Sequence, residues 1–252
     1  MTDRALTYGS YLALDEVLGA QRPRSDEHDE LLFIVIHQVY ELWFKQLLHE
    51  LGHVQHQLEL GSTSGALHTL RRILTILKVA VAQIDVLETM TPRQFASFRG
   101  RLDAASGFQS MQFRELEAVL GRRDISPASA GVLAAMARPS LYDSFVRYLA
   151  VEGAAVPACA LERDVTQPLE RQPELDEVLL AVYARDGGPA QVAERLVDLD
   201  EGLQEWRDRH VKMVERTIGD KAGTGGSSGT AYLRSTLFAP LFPDLWAIRR
   251  RL

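Results

Sequence analysis

The chain has 252 residues, 46% of them hydrophobic and 25% charged, with a formal net charge of −6, which is ordinary globular material long enough to bury a sizeable core in one domain or two. The acidic balance, with a pI of 5.7, implies no broad basic surface and excludes a protein built around nucleic-acid phosphates, while no apolar run approaches the roughly 18 uninterrupted residues needed to span a bilayer. A single cysteine, Cys159, cannot close an internal disulfide, so a reducing cytosol is the simplest compartment, and the start MTDRALTYGSYLALDE carries no signal-peptide pattern.

Helical periodicity runs through the chain and strand alternation is nearly absent. Apolar residues at three- and four-residue steps, among them Leu32, Val35, Val39, Leu42, Leu47, Leu51, Val54 and Leu58, predict a long helix over about 29–60. Gly61-Ser-Thr-Ser-Gly65 reads as a turn. A second helix is expected over about 66–89 on Leu70, Ile73, Leu74, Leu77, Val81, Ile84 and Leu87. Thr91-Pro92 offers an N-cap followed by proline at the first helical position, opening a short helix through Phe95 and Phe98. Ser106-Gly107-Phe108 interrupts, and the helical pattern resumes over 109–120. A proline-punctuated middle then leads to a last long helix over about 189–218. It meets a loop with five glycines among the twelve residues 219–230. A phosphate cradle needs a preceding strand and a Gly-Lys-Ser/Thr ending, both missing here, so this loop is either a solvated linker or a mobile lid offering Thr224 and backbone N–H groups to a ligand. With no internal repeat and no clear linker, the expectation is an all-α fold in a single domain over 1–252: a bundle of long helices with shorter helices packed on one end.

Several side chains could carry chemistry. His49, His53 and His56 share one helical face and would suit a metal, but the polar Glu50, Gln55 and Gln57 between them read as a solvated helix end. His37 stands among Phe33, Ile34, Val35, Ile36 and Val39; burial there favours the neutral ring and demands a hydrogen-bond partner, which Glu41, one turn on, would supply. Such a histidine is more often a satisfied core residue than a catalyst. His210 shares a face with Trp206, Met213 and Val214, a neighbourhood suited to gripping a large flat cofactor; an imidazole projecting from a helix into such a cleft is a haem-iron ligand in many folds. A surface or core histidine fits the pattern too. Arg99 follows Phe95 and Phe98, so it suits either capture of the carboxylate of a planar substrate or an ordinary surface salt bridge.

Six stretches together resemble one family, the haem-dependent tryptophan 2,3-dioxygenases. They are Leu6-Thr-Tyr8-Gly-Ser-Tyr11-Leu12, His28-Asp-Glu-Leu-Leu-Phe33-Ile-Val-Ile-His37-Gln-Val-Tyr-Glu41-Leu-Trp43-Phe-Lys45, Leu87-Glu-Thr-Met-Thr91-Pro92, Phe98-Arg99 with Ser106-Gly-Phe-Gln-Ser110, Trp206-Arg-Asp-Arg-His210, and Gly223-Thr224-Gly-Gly-Ser-Ser-Gly229. They occur in the family's order from one end of the chain to the other. The resemblance implies a homotetrameric α-helical enzyme with a pocket inside the bundle for one haem b per subunit. His210 corresponds to the axial iron ligand, with dioxygen as co-substrate on the opposite face. His37 corresponds to the distal histidine at the indole N–H of L-tryptophan, Phe33 and Phe95 to the indole pocket, and Arg99 to the carboxylate clamp. Thr224 matches the lid residue that engages the amino-acid end, and Ser106 would sit near haem and substrate. Tyr8, Tyr11 and Leu12 resemble the N-terminal segment, residues 1–20, that a neighbouring subunit lends to the pocket.

The implied reaction inserts both oxygen atoms of dioxygen and opens the ring to N-formylkynurenine. Ile84-Asp85 stands where family members carry an aromatic residue followed by serine, and Ile36 and Val39 flank His37 where smaller or more polar residues are usual. These departures keep two alternatives open: a paralogous haem monooxygenase turning a substituted, for example β-methylated, tryptophan into an oxindole, and a helical binding protein without oxygen chemistry.

Overall fold

A computed structural model describes residues 6–103, 105–125, 129–219, 221, 233–234 and 237–252, and every regular element among them is helical. Two short helices, α1 (Tyr8–Tyr11) and α2 (Leu14–Leu18), precede a long pair, α3 (His28–Glu59) and α4 (Thr63–Leu87). Then come α5 (Pro92–Arg99), α6 (Met111–Val119), α7 (Ala130–Met136), α8 (Leu141–Val151), α9 (Ala158–Leu161) and α10 (Asp176–Arg185). The third long helix, α11 (Gly188–Ile218), is followed by α12 (Pro243–Ala247). The all-α architecture expected from the periodicity is the one observed.

α4 lies between α3 and α11, and its direction relative to each follows from the paired residues. Across α3 and α4, Gln83 donates to the Ile36 carbonyl, Tyr40 to the Ala80 carbonyl, and Arg72 to Glu50. One number rises as the other falls, so these helices are antiparallel. Across α4 and α11, Gly188 meets Thr63, Gly202 meets Leu77, and Arg209 pairs with Asp85, both numbers rising together, so these helices are parallel. Two glycines make this geometry possible. Gly61 turns α3 into α4 at φ +65, a region L side chains avoid. Gly188 lets the start of α11 approach α4 so closely that a Cβ there would lie 2.7 Å from the Thr63 methyl.

The two ends of this three-helix core differ. Toward the α3–α4 turn, Leu47, Leu51, Val54 and Leu58 interdigitate with Leu70, Ile73 and Leu196, all at most 1% exposed. α8 caps this end, with Gln55 reaching the Pro139 carbonyl and Tyr148 bonded to Thr63, whereas α5 and α6, with α7 packed on α6, lie toward the other end, so the shorter helices divide between the two ends rather than gathering on one. At the other end α4 keeps its contacts with α3 and α11 through Gln83–Ile36, Tyr40–Ala80 and Arg209–Asp85, while residues of α3 and α11 face a hollow that α5 and α6 also line. By length and composition α3 alone among the described helices could also cross a membrane, with mean hydropathy 1.2 over an 18-residue window; here one of its sides is bundle core.

Candidate active site

The hollow end contains a cavity of about 240 Å³, larger than the roughly 150 Å³ hole a deleted core side chain leaves. α3 contributes Phe33, His37, Tyr40, Glu41 and Phe44; α4 and the turn after it contribute Ile84, Leu87 and Met90; α5 contributes Phe95 and Arg99. Ser106, Gly107 and Ser110 lead into α6, which adds Phe113, Arg114 and Glu117. α11 supplies the longest wall, with Trp206, Arg207, His210, Val211, Met213, Val214, Thr217 and Ile218.

Local sequence explains why α5 points into this space. Thr91 accepts from the Gln94 N–H while the Gln94 side chain accepts from the Thr91 N–H, a capping box with proline at the next position. That fixes the helix start, and four-residue spacing then sends Phe95 and Arg99 inward on one face. Ser110 caps α6 by accepting from the Phe113 N–H, without the reciprocal bond, so the break expected at Ser106-Gly107-Phe108 separates two helices that both face the cavity.

His37 donates from Nδ1 to the Phe33 carbonyl at 2.7 Å. This corrects the expected partnership with Glu41: in a helix the carbonyl four residues back lies within reach of a side chain folded toward the preceding turn, and Glu41 is held instead by the Gln112 amide, which donates to its carboxylate and its carbonyl. Burial lowers the pKa of His37 below the ordinary imidazole value, with the Phe33 carbonyl and the Glu41 charge opposing it. The ring lies 4.2 Å from Phe33, which in turn meets Phe95 and Phe98 at 5.7 Å. These contacts form an aromatic wall on one side of the cavity.

On the opposite helix, His210 stacks on Trp206 with centroids 5.1 Å apart and an interplanar angle of 11°. Burial, with His37 facing it as a second contribution, brings its pKa down to about 4, so the ring is neutral near pH 7 and a nitrogen lone pair is free of any proton. Behind the pair, Tyr40 donates to the Ala80 carbonyl at 2.7 Å, and burial pushes its phenol up to about 12. Phe44, Phe113 and Trp206 complete an apolar floor.

The structure thus brings Phe33, His37, Phe95, Arg99, Ser106 and His210 into one cavity. It leaves Tyr8, Tyr11 and Leu12 outside it, 77%, 72% and 40% exposed. Thr224 and the rest of 222–230 lie outside the described residues. His49, His53 and His56 point outward, and no group of three metal-binding side chains occurs among the described residues. Sequence reasoning missed Tyr40, Phe44, Phe113, Arg114, Glu117 and Arg207. The spacing of Phe113, Arg114 and Glu117 along α6 was the available signal, but an Arg–Glu pair three residues apart reads as an exposed helix pair. Of the departures, Ile84 is 1% exposed and lines the cavity, and Asp85 faces out to pair with Arg209.

The family model described as tryptophan 2,3-dioxygenase matches residues 1–129 and 178–252 of this chain. A tryptophan 2,3-dioxygenase of Anaeromyxobacter dehalogenans is 64% identical over 97% of this chain and 96% of its own length. Proteins of the same name from Herpetosiphon aurantiacus and Caulobacter vibrioides are 58% and 46% identical, each over 98% of both chains.

Proposed function

The chain belongs to the tryptophan 2,3-dioxygenase family, and from that premise we propose that it is a haem-dependent oxygenase that opens the indole C2–C3 bond of L-tryptophan with dioxygen to give N-formylkynurenine. The observation that carries this reading is the presence of two neutral imidazoles, His37 on α3 and His210 on α11, in one aromatic-walled cavity. The donor set fits haem: the buried, neutral imidazole of His210, on a helix that also presents Trp206, Met213 and Val214, would hold its iron. Haem, when bound at His210, supplies the iron at which dioxygen is activated.

The chain's own residues bind and orient. Because the Nδ1–H of His37 is committed to the Phe33 carbonyl, its Nε2 is an acceptor, placed for an indole N–H. Phe33 and Phe95 hold the ring, and the Arg99 guanidinium pairs with the substrate carboxylate in the forked geometry that lysine does not offer. Alignment of this kind contributes up to roughly 7–11 kcal/mol of barrier lowering for well-placed partners. The apolar floor excludes water. The glycine-rich segment with Thr224 closes over the amino-acid end, and the neighbouring subunit of a homotetramer lends Tyr8, Tyr11 and Leu12. Their exposure, and that of Leu31, Val35 and Leu42 on α3, supports this assembly.

The test is a single turnover. Haem-loaded protein is reduced without oxygen, given L-tryptophan and then isotopically heavy dioxygen, and the product is weighed. Gain of two heavy oxygen atoms is expected; one atom identifies the oxindole-forming alternative, and an unaltered substrate defeats both. His210→Ala is expected to abolish most of the Soret absorbance.

A further inference from the structure

Helices α1 and α2 bury none of their residues, yet the segment joining them to α3 is fastened at two points. At the first, the Gln21 amide donates to the Gln38 side chain at 2.6 Å and to the Val17 carbonyl at the end of α2 at 3.0 Å, and Gln38 donates in turn to the Ala20 carbonyl. At the second, Glu30, which is 1% exposed, accepts from the Arg24 and Ser25 N–H groups, each at 2.8 Å, and from the Ser25 hydroxyl. Glu30 is the third residue of α3, where a capping-box glutamate reaches back to the N–H of the residue just before the helix. Here that N–H, of Glu27, goes to the Ser25 hydroxyl instead, and the Glu30 carboxylate reaches two and three residues further out.

The two points lie eight residues apart on α3, about 12 Å along the axis. From Gln21 to Arg24 the chain advances only three residues, roughly 10 Å when fully extended, and Pro23 stiffens it. The strap is thus stretched along α3 with little slack, and the place where α2 departs is set from α3. Resting on the reading above that a neighbouring subunit lends its N-terminal segment, we infer that Glu30 and Gln38 are positioning residues for the neighbour's cavity. They hold the strap that aims Tyr8, Tyr11 and Leu12 of their own chain at it. A segment with no packing on its own subunit loses conformational freedom when it docks, and a fixed root removes part of that loss beforehand.

The experiment is complementation in mixed assemblies of full-length, haem-loaded chains. Gln38→Ala and Glu30→Ala, each with an intact cavity, should raise the Michaelis constant for L-tryptophan roughly fivefold, the worth of one hydrogen bond, with kcat near native; the melting temperature reports folding independently. Each is then co-expressed with Arg99→Ala, which keeps its strap but lacks the carboxylate clamp, and assemblies containing both chains are purified by two tags. Cavities of the strap variant that receive a segment from an Arg99→Ala chain should regain the native Michaelis constant, a kinetic phase that neither parent shows. Tyr11→Ala, paired with Arg99→Ala in the same way, tests the lent segment itself. If Tyr11→Ala is rescued and a folded strap variant is not, the strap serves only its own subunit and the inference falls. An unchanged Michaelis constant in either folded strap variant overturns it as well. If Tyr11→Ala leaves the constant native or is not rescued, or if no mixed assembly forms, the lent segment falls and the strap inference with it. If one strap variant does not fold, the other decides.

Discussion

His37 illustrates how one hydrogen bond assigns the roles of two nitrogens. With Nδ1 donating to the Phe33 carbonyl, only the neutral ring can accept at Nε2, and burial keeps it neutral to lower pH than a free imidazole. Turnover at limiting substrate should therefore stay level down through about pH 6.5, the ordinary imidazole value, and fall only in more acid solution; a pH profile of kcat/KM checks this. With Arg99 in the proposed role of carboxylate clamp, Arg99→Ala should raise the Michaelis constant for L-tryptophan at least tenfold, in line with about 1.5–3 kcal/mol for hydrogen bonds to charged groups. Steady-state kinetics with L-tryptophan and with tryptamine, which lacks the carboxylate, separate this from misfolding: the tryptamine constants should change little. Of these residues, composition and spacing marked His37, Arg99 and His210 as candidates without choosing between core and site, because a buried imidazole and a catalytic one present the same neighbours in sequence. Order along the chain, matched against a family, made that choice.

The helices were far more legible. Ten or more apolar positions at helical spacing outweigh any single ambiguous residue, and Thr91-Pro92 and Gly61 mark boundaries by chemistry that works locally. α5 began where its cap announced it. Long-range pairing was not legible: nothing in the spacing of α4 and α11 says that they run parallel, or that Glu117 on α6 collects Arg207 on α11 from 90 residues away. The cap of α5 carries a consequence for the site. Thr91→Ala should cost about 1 kcal/mol of stability and loosen Phe95 and Arg99 together, so a lower melting temperature should come with a higher Michaelis constant. Thr91→Ser, which can rebuild the box, should restore both.

At the scale of the whole molecule, the closing segment is pinned by buried carboxylates. Asp200 draws the start of α12 onto α11 through two backbone N–H groups and Trp246. Asp244, fully buried, accepts from the Gln172 N–H, and burial raises its pKa to about 6. A carboxyl whose folded value exceeds its unfolded value binds its proton more tightly in the native state. Its contribution is therefore present in acid and lost as pH rises from about 4 to about 6, worth at most about 3 kcal/mol. Asp244→Asn should flatten that part of the stability profile, as denaturant titrations across the window would report. The unequal ends of the three-helix core bear on a different property. Interlocked leucines at the α3–α4 turn can hold their amides shut on their own, while the walls around His37 and His210 border an open cavity that a flat occupant would fill. Deuterium uptake in cofactor-free protein should accordingly divide each long helix in two, slow near Leu51, Ile73 and Leu196 and fast near Tyr40, Ile84 and Trp206, and loading the cavity should bring the quick half to the pace of the slow one.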